Sequence, residues 1–161
     1  GWLYEGGIRV PMMIKWPAQG QRGAVSSVPV ISTDIYPTVL ELIGAPVRPA
    51  QHRDGVSLAG VLRGGPAPAR DALYWHFPHY SNHGRQSPGG AIRVGDFKLL
   101  DYFENQSVQL FNLKDDPGEQ RDLSREQPAL ARKMAGLLRD WRTSVAAATM
   151  NPNPNFTSQS K

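Results

Sequence analysis

The sequence predicts an α/β chain that ends in a four-stranded antiparallel sheet with one long helix lying on it. Three observations carry that prediction. Four short apolar segments, residues 73–77, 91–94, 97–103 and 108–113, follow one another with turn residues between them. A helical stripe follows, with Leu130, Met134, Leu137, Leu138, Trp141 and Val145 on one side and Arg132, Lys133, Arg139 and Arg142 on the other. Ahead of both, an extended apolar segment and a second helical stripe give the chain its α/β character.

The chain opens on Gly1-Trp2-Leu3-Tyr4-Glu5-Gly6-Gly7, which reads as a loop. Residues 10–16 are nearly all apolar, the pattern of a strand buried on both faces. Such a strand needs neighbours on both sides, and the chain supplies too few. It is therefore expected to be a piece of something larger whose start is missing. Residues 28–31 form a further short extended stretch. A helix is expected from Ser32-Thr33-Asp34, good N-terminal caps, with Pro37 in its first turn and Gly44 as its stop. Its apolar face would be Ile35, Val39, Leu42 and Ile43. Residues 57–63 suit a short helix closed by Gly64-Gly65.

The glycines and prolines of 64–69 mark the best linker. This places one domain at 1–64, a sheet-and-helix subdomain at 65–150, and an extended tail at 151–161. Within the second, Gly95-Asp96 is a two-residue hairpin turn and Asp115-Asp116-Pro117-Gly118 a strong turn sequence.

Bulk properties exclude several classes. At 161 residues, 40% hydrophobic and 20% charged, the chain has the composition of a globular protein. No apolar run is long enough for a membrane span. With no cysteine, disulfides, zinc–thiolate sites and thiol nucleophiles are ruled out. The net charge of +4 is spread along the chain, without the clustered basic stripe of a nucleic-acid binder.

Three stretches then carry a resemblance. They are Tyr4-Glu5-Gly6-Gly7-Ile8-Arg9-Val10-Pro11; Ser32 to Leu40 with Gly44-Ala45-Pro46 and Asp54-Gly55-Val56-Ser57-Leu58; and Ala91-Ile92-Arg93 with Gly95-Asp96-Phe97-Lys98-Leu99, Leu110-Phe111-Asn112-Leu113 and Asp116-Pro117-Gly118-Glu119. In this order and spacing they resemble the C-terminal portion of the sulfatase family, within the alkaline-phosphatase-like superfamily. The resemblance covers nearly the whole chain. It implies an α/β sulfatase fold and a sulfuric ester hydrolase acting on a sulfated carbohydrate or aryl sulfate. It also implies a formylglycine made from Cys or Ser in a Cys/Ser-x-Pro-x-Arg motif, and a divalent cation, commonly Ca²⁺. Neither that motif nor the family's metal-binding pairs occur here, so this chain alone is expected to be inactive, with no metal ligand and no catalytic residue of its own. The sulfate-binding Lys of the family would stand directly before Gly1. The implied partners are a sulfated small molecule or glycan and a missing N-terminal catalytic portion. The implied location is periplasmic, secreted or lysosomal. Phosphodiesterases and phosphonate monoester hydrolases of the superfamily share much of this ending, and a non-catalytic module for anionic glycans is the third alternative.

Two groups of residues are candidates for the site. Glu5, Gly6, Gly7 and Arg9 are expected to be structural supports near the active site, with Glu5 and Arg9 close enough to pair; direct substrate contact is the other role open to them. The stretch Tyr74 to Arg85 holds His76, His79 and His83 and leads into a loop bounded by Gly89-Gly90. A metal site, substrate donors and structural histidines are its three possible roles. The metal role lacks helical His spacing and an adjacent carboxylate. Substrate contact is expected from His76, His79 and Arg85, with aromatic neighbours for a sugar face. Arg93 is a weaker candidate.

Overall fold

In the computed structural model, which describes residues 2–18, 20, 22–82, 86–151 and 153, the chain divides into two compact units. One comprises Gly1–Val10 with Ala72–Lys161, the other Pro11–Asp71. The division differs from the expected 1–64 and 65–150. The first ten residues fold with the sheet, because Leu3 is the apolar plug of one sheet face.

In the sheet unit, β1 (Leu73–Phe77), β2 (Gly89–Val94), β3 (Phe97–Tyr102) and β4 (Ser107–Asn112) pair antiparallel in sequence order. Gly95 turns β2 into β3 at φ 56°, a left-handed conformation that favours glycine. Alternation sorts the side chains onto two faces. Ile92, Leu99 and Leu110 stand in one register row and pack beneath α4 (Pro128–Ser144), against Ala131, Met134 and Leu138. Ala91, Leu100 and Phe111 face the other way, onto Leu3 and Leu113. Both faces are therefore covered, one by a helix and one by the opening segment with its single helical turn α1 (Glu5–Ile8). Each fully buried Leu or Ile contributes roughly 2 kcal/mol of transfer free energy.

The seam of α4 runs through 131, 134, 138 and 141. Leu137 and Val145, expected inside, are 37% and 45% exposed because they fall beyond the edge of that stripe. Arg142, expected outside, turns inward. Its guanidinium pairs with Asp101 and lies over the Phe103 ring, 4.6 Å from the centroid. Gly90 makes the room: a β-carbon there would sit 3.3 Å from Arg142 Nη2.

The Pro11–Asp71 unit is organised by a carboxylate. Asp34 closes a 3-10 turn (Ser32–Asp34) before α2 (Ile35–Leu42) and is fully buried. Its side chain accepts the N–H of Ile31 at 2.9 Å and of Val56 at 3.0 Å, and pairs with Arg70. Thr38 Oγ1 donates to the Asp34 carbonyl at 2.6 Å and accepts Leu58 N–H at 2.9 Å, tying α2 to the approach of α3 (Ala59–Leu62). Gly55 is required by contact, since a β-carbon would meet Thr33 O at 2.2 Å.

Two expectations fail here. Residues 11–16 form no strand, and Met13 is 93% exposed. Extended chain needs partners for its backbone groups, and no described residue of this unit is in a strand. On α2 the stripe Ile35, Val39 and Ile43 faces out, at 49%, 45% and 70% exposure, while Pro37 and Thr38 are buried. The Asp34 network fixes the helix by its polar side.

Candidate functional site

The opening motif is held to the sheet by buried charge. Alternation puts Lys98 on the same face as Leu100 and Tyr102, where it is fully buried. Lys98 Nζ donates to Glu5 Oε1 at 2.9 Å and lies 2.9 Å from Glu119 Oε1, an ionic contact without hydrogen-bond alignment. Glu119 Oε2 also accepts the Glu5 backbone N–H at 2.6 Å. Arg9 approaches the other Glu5 oxygen at 3.9 Å. Two carboxylates share one enclosed ammonium, so each side chain depends on the others for its charge balance. Gly7 packs too tightly for any side chain, because a β-carbon would sit 2.1 Å from Trp2 O; Gly6 has open space. Glu5 and Arg9 do pair, and Glu5 is committed to the protein interior.

On the same face, a cavity of about 310 Å³ opens beside the opening segment. Trp2, Tyr4 and Tyr102 give it rings, and Gln86, Ser87, Glu104, Asn105, Ser107 and Gln109 give it polar edges. The Trp2 and Tyr4 rings are 5.6 Å apart at 44°. Tyr4 Oη donates to Gln109 Oε1, and Tyr80 Oη to Glu104. Burial, then the hydrogen bond with Tyr4, raises the Tyr102 phenol well above its ordinary range, so it stays protonated. The hydrogen bond to Glu104 likewise raises Tyr80.

The predicted histidines lie elsewhere. His76 pairs with Gly90 in the register and therefore shares the α4 face with Asp101. Its Nε2 is 2.7 Å from the Ala148 carbonyl, and its ring packs on Phe103 at 5.6 Å. His79 stands edge-on to Phe77 at 5.7 Å. Neither lines the cavity. Arg85 and His83 lie outside the described residues. Arg93 Nε donates to Gly95 O within its own hairpin. Among the described residues no three His, Cys, Asp or Glu side chains gather as a metal set, and the chain has no cysteine.

Sequence reasoning assigns no site role to Lys98, Glu119 or the cavity-lining side chains, although Lys98, Glu119 and Tyr4 stand in the stretches that carry the resemblance. The signal for Lys98 was present: a lone Lys between Phe97 and Leu99 inside an apolar strand must point inward or break the alternation.

The family model described as "N-sulphoglucosamine sulphohydrolase, C-terminal" matches residues 1–143. A sulfatase of Formosa agariphila is 38% identical over 165 residues, covering 92% of this chain and 30% of that protein. Arylsulfatase K of Danio rerio is 30% identical over 143 residues, covering 85% and 26%. A solved structure in complex with its substrate, D-glucosamine-2-N,6-O-disulfate, superposes with a TM-score of 0.58 at 27% identity, covering 70% of this chain and 24% of that one. The chain spans 26 to 30% of the length of these curated relatives. With the family model matched across both units, and the four-stranded sheet and closing helix in place, this chain belongs to the sulfatase family as a C-terminal portion of its fold.

Proposed function

We propose that this chain is the C-terminal part of an enzyme that hydrolyses sulfate esters, supplying support and part of the substrate-pocket wall to a preceding catalytic portion. The observation that carries this division of labour is the uncovered apolar surface of residues 11–71. Met13, Ile35, Val39 and Ile43 are between 45% and 93% exposed, in a chain that is less than a third of its relatives' length. Large apolar side chains left this exposed, several on one helix, suit a surface that is covered by a partner. The partner here is the rest of the polypeptide, which would also carry the nucleophile, the divalent cation and the sulfate-binding Lys. The chemistry proposed is water addition to sulfur with release of an alcohol and sulfate.

The substrate class is a sulfated carbohydrate or an aryl sulfate, in keeping with the relatives' names and the disulfated glucosamine of the solved complex. His79, just beyond β1, and the cavity beside Trp2 are the proposed wall, and Arg85, which lies outside the described residues, is proposed as a further substrate contact. His76 contributes through the C-terminal segment it holds at Ala148. The test is an assay with 4-nitrophenyl sulfate and 4-nitrophenyl phosphate, using the chain alone and a longer polypeptide that includes the preceding portion. The expected result is sulfate-ester hydrolysis by the longer form and none by the chain alone. Exclusive phosphate-ester hydrolysis would transfer the protein to the phosphoester branch of the superfamily.

A further inference from the structure

The cavity beside Trp2 has a chemistry that differs from that of a sulfate site. Sulfate esters carry a full negative charge, which their sites balance with Arg, Lys or a metal. No Arg or Lys is among the described residues that line this cavity. Lys98 stands on the same sheet face, yet it is fully buried and committed to Glu5 and Glu119. The cavity does contain a carboxylate, Glu104.

The hydrogen bonds already made decide what is left for a ligand. Gln109 Oε1 is taken by Tyr4, which leaves the Gln109 amide N–H groups as donors. Asn105 Oδ1 accepts both the N–H and the hydroxyl of Ser107, at 3.1 and 2.7 Å, so Asn105 likewise offers its N–H groups. Glu104 takes one hydrogen bond from Tyr80 and has further acceptor capacity. Trp2, 44% exposed, presents a ring on which an apolar sugar face can stack. Donors and an anionic acceptor beside aromatic rings suit a group that both gives and receives hydrogen bonds. Sugar hydroxyls do both. A volume of about 310 Å³ is at the lower end of small-ligand pockets.

We propose that this cavity is a subsite for an uncharged sugar residue, and that it selects against sulfate on the residue that enters it. The proposal deepens the functional reading above and rests on it for the class of ligand. In a sulfated glycan, the site would read an unsulfated unit and so restrict which sulfation patterns are accepted.

The test is a binding screen of the 161-residue chain against an array of uncharged oligosaccharides and their sulfated counterparts, followed by calorimetry on the strongest pair. Uncharged members should bind, and sulfation of the inserted residue should weaken them because Glu104 repels it. Trp2→Ala and Glu104→Gln should each weaken the uncharged ligand about tenfold. Trp2→Tyr should restore most of the loss, and Arg132→Ala, on the exposed face of α4, should change nothing. Circular dichroism of each variant separates lost binding from lost fold, and only folded variants are scored. Sulfated members that bind as well as uncharged ones, or binding indifferent to Trp2 and Glu104, would overturn the proposal. If no sugar binds while the longer polypeptide still cleaves aryl sulfate, the subsite falls and the functional reading stands. If uncharged sugar binds but aryl sulfate is untouched, the reverse holds.

Discussion

The sheet unit and the Pro11–Asp71 unit each bury an aspartate or glutamate against a cation, but they surround it differently. In the sheet unit, Lys98, Glu5 and Glu119 sit between layers that are covered on both faces by this chain's own residues. In the other unit, Asp34 and Arg70 organise the backbone, while the apolar side chains of α2 and of residues 12–14 face outward. One unit has an apolar core and a polar lock; the other has the polar lock and an apolar exterior. The difference teaches where this chain covers its own apolar side chains and where it leaves them exposed.

The largest effect is expected from breaking the lock in the closed unit. Lys98→Met leaves two buried carboxylates without their ammonium and should destabilise the sheet unit by about 4 kcal/mol. Chemical denaturation followed by near-ultraviolet circular dichroism measures it, and a loss below about 1 kcal/mol would mean that the cluster is solvated after all. Asp34→Ala comes next. It strands Arg70, whose side chain is 11% exposed, and frees the N–H groups of Ile31 and Val56. A loss of about 3 kcal/mol is expected, confined to residues 11–71, with fast hydrogen exchange at Val56 as the readout.

These two locks also mark what the sequence made legible. The four strands, the Gly95 turn and α4 followed from alternation, turn chemistry and a helical stripe, because both faces of the sheet are satisfied within the chain. The exposed α2 stripe and the missing strand at residues 11–16 did not, since periodicity tells which side chains want cover but not whether the cover belongs to this chain. Glu5 and Arg9 were paired from proximity in sequence. Lys98 and Glu119 lie 93 and 114 residues from Glu5 and could be joined to it only by the fold. The cavity was hidden for the same reason: its walls come from the opening segment, residues 86 and 87, and strands β3 and β4 with the turn between them.

The smallest expected effect sharpens the contrast between buried and surface charge. Asp116, in the turn after β4, accepts the backbone N–H of Arg121 at 2.9 Å and of Gln120 at 3.1 Å, and these bonds hold its carboxyl below the usual range. A depressed pKa adds stability above the unfolded value and loses it as pH falls through the folded one. Asp116→Asn should therefore lower the melting temperature slightly at neutral pH, and the gap from the parent should close on the acid side of the aspartate range. A gap that widens toward acid would contradict the assignment.

The central claim, a closed sheet unit joined to a unit whose apolar surface awaits a preceding catalytic portion, is tested most directly by hydrogen exchange on two forms of the protein. One is the 161-residue chain and the other a longer polypeptide that includes the preceding portion. The account predicts that the amides of Met12, Met13 and Ile14 exchange fast in the chain alone and slow by orders of magnitude in the longer form. The amides of Leu99 and Leu110 should be equally protected in both. Residues 12–14 already protected in the chain alone, or no gain in the longer form, would contradict it.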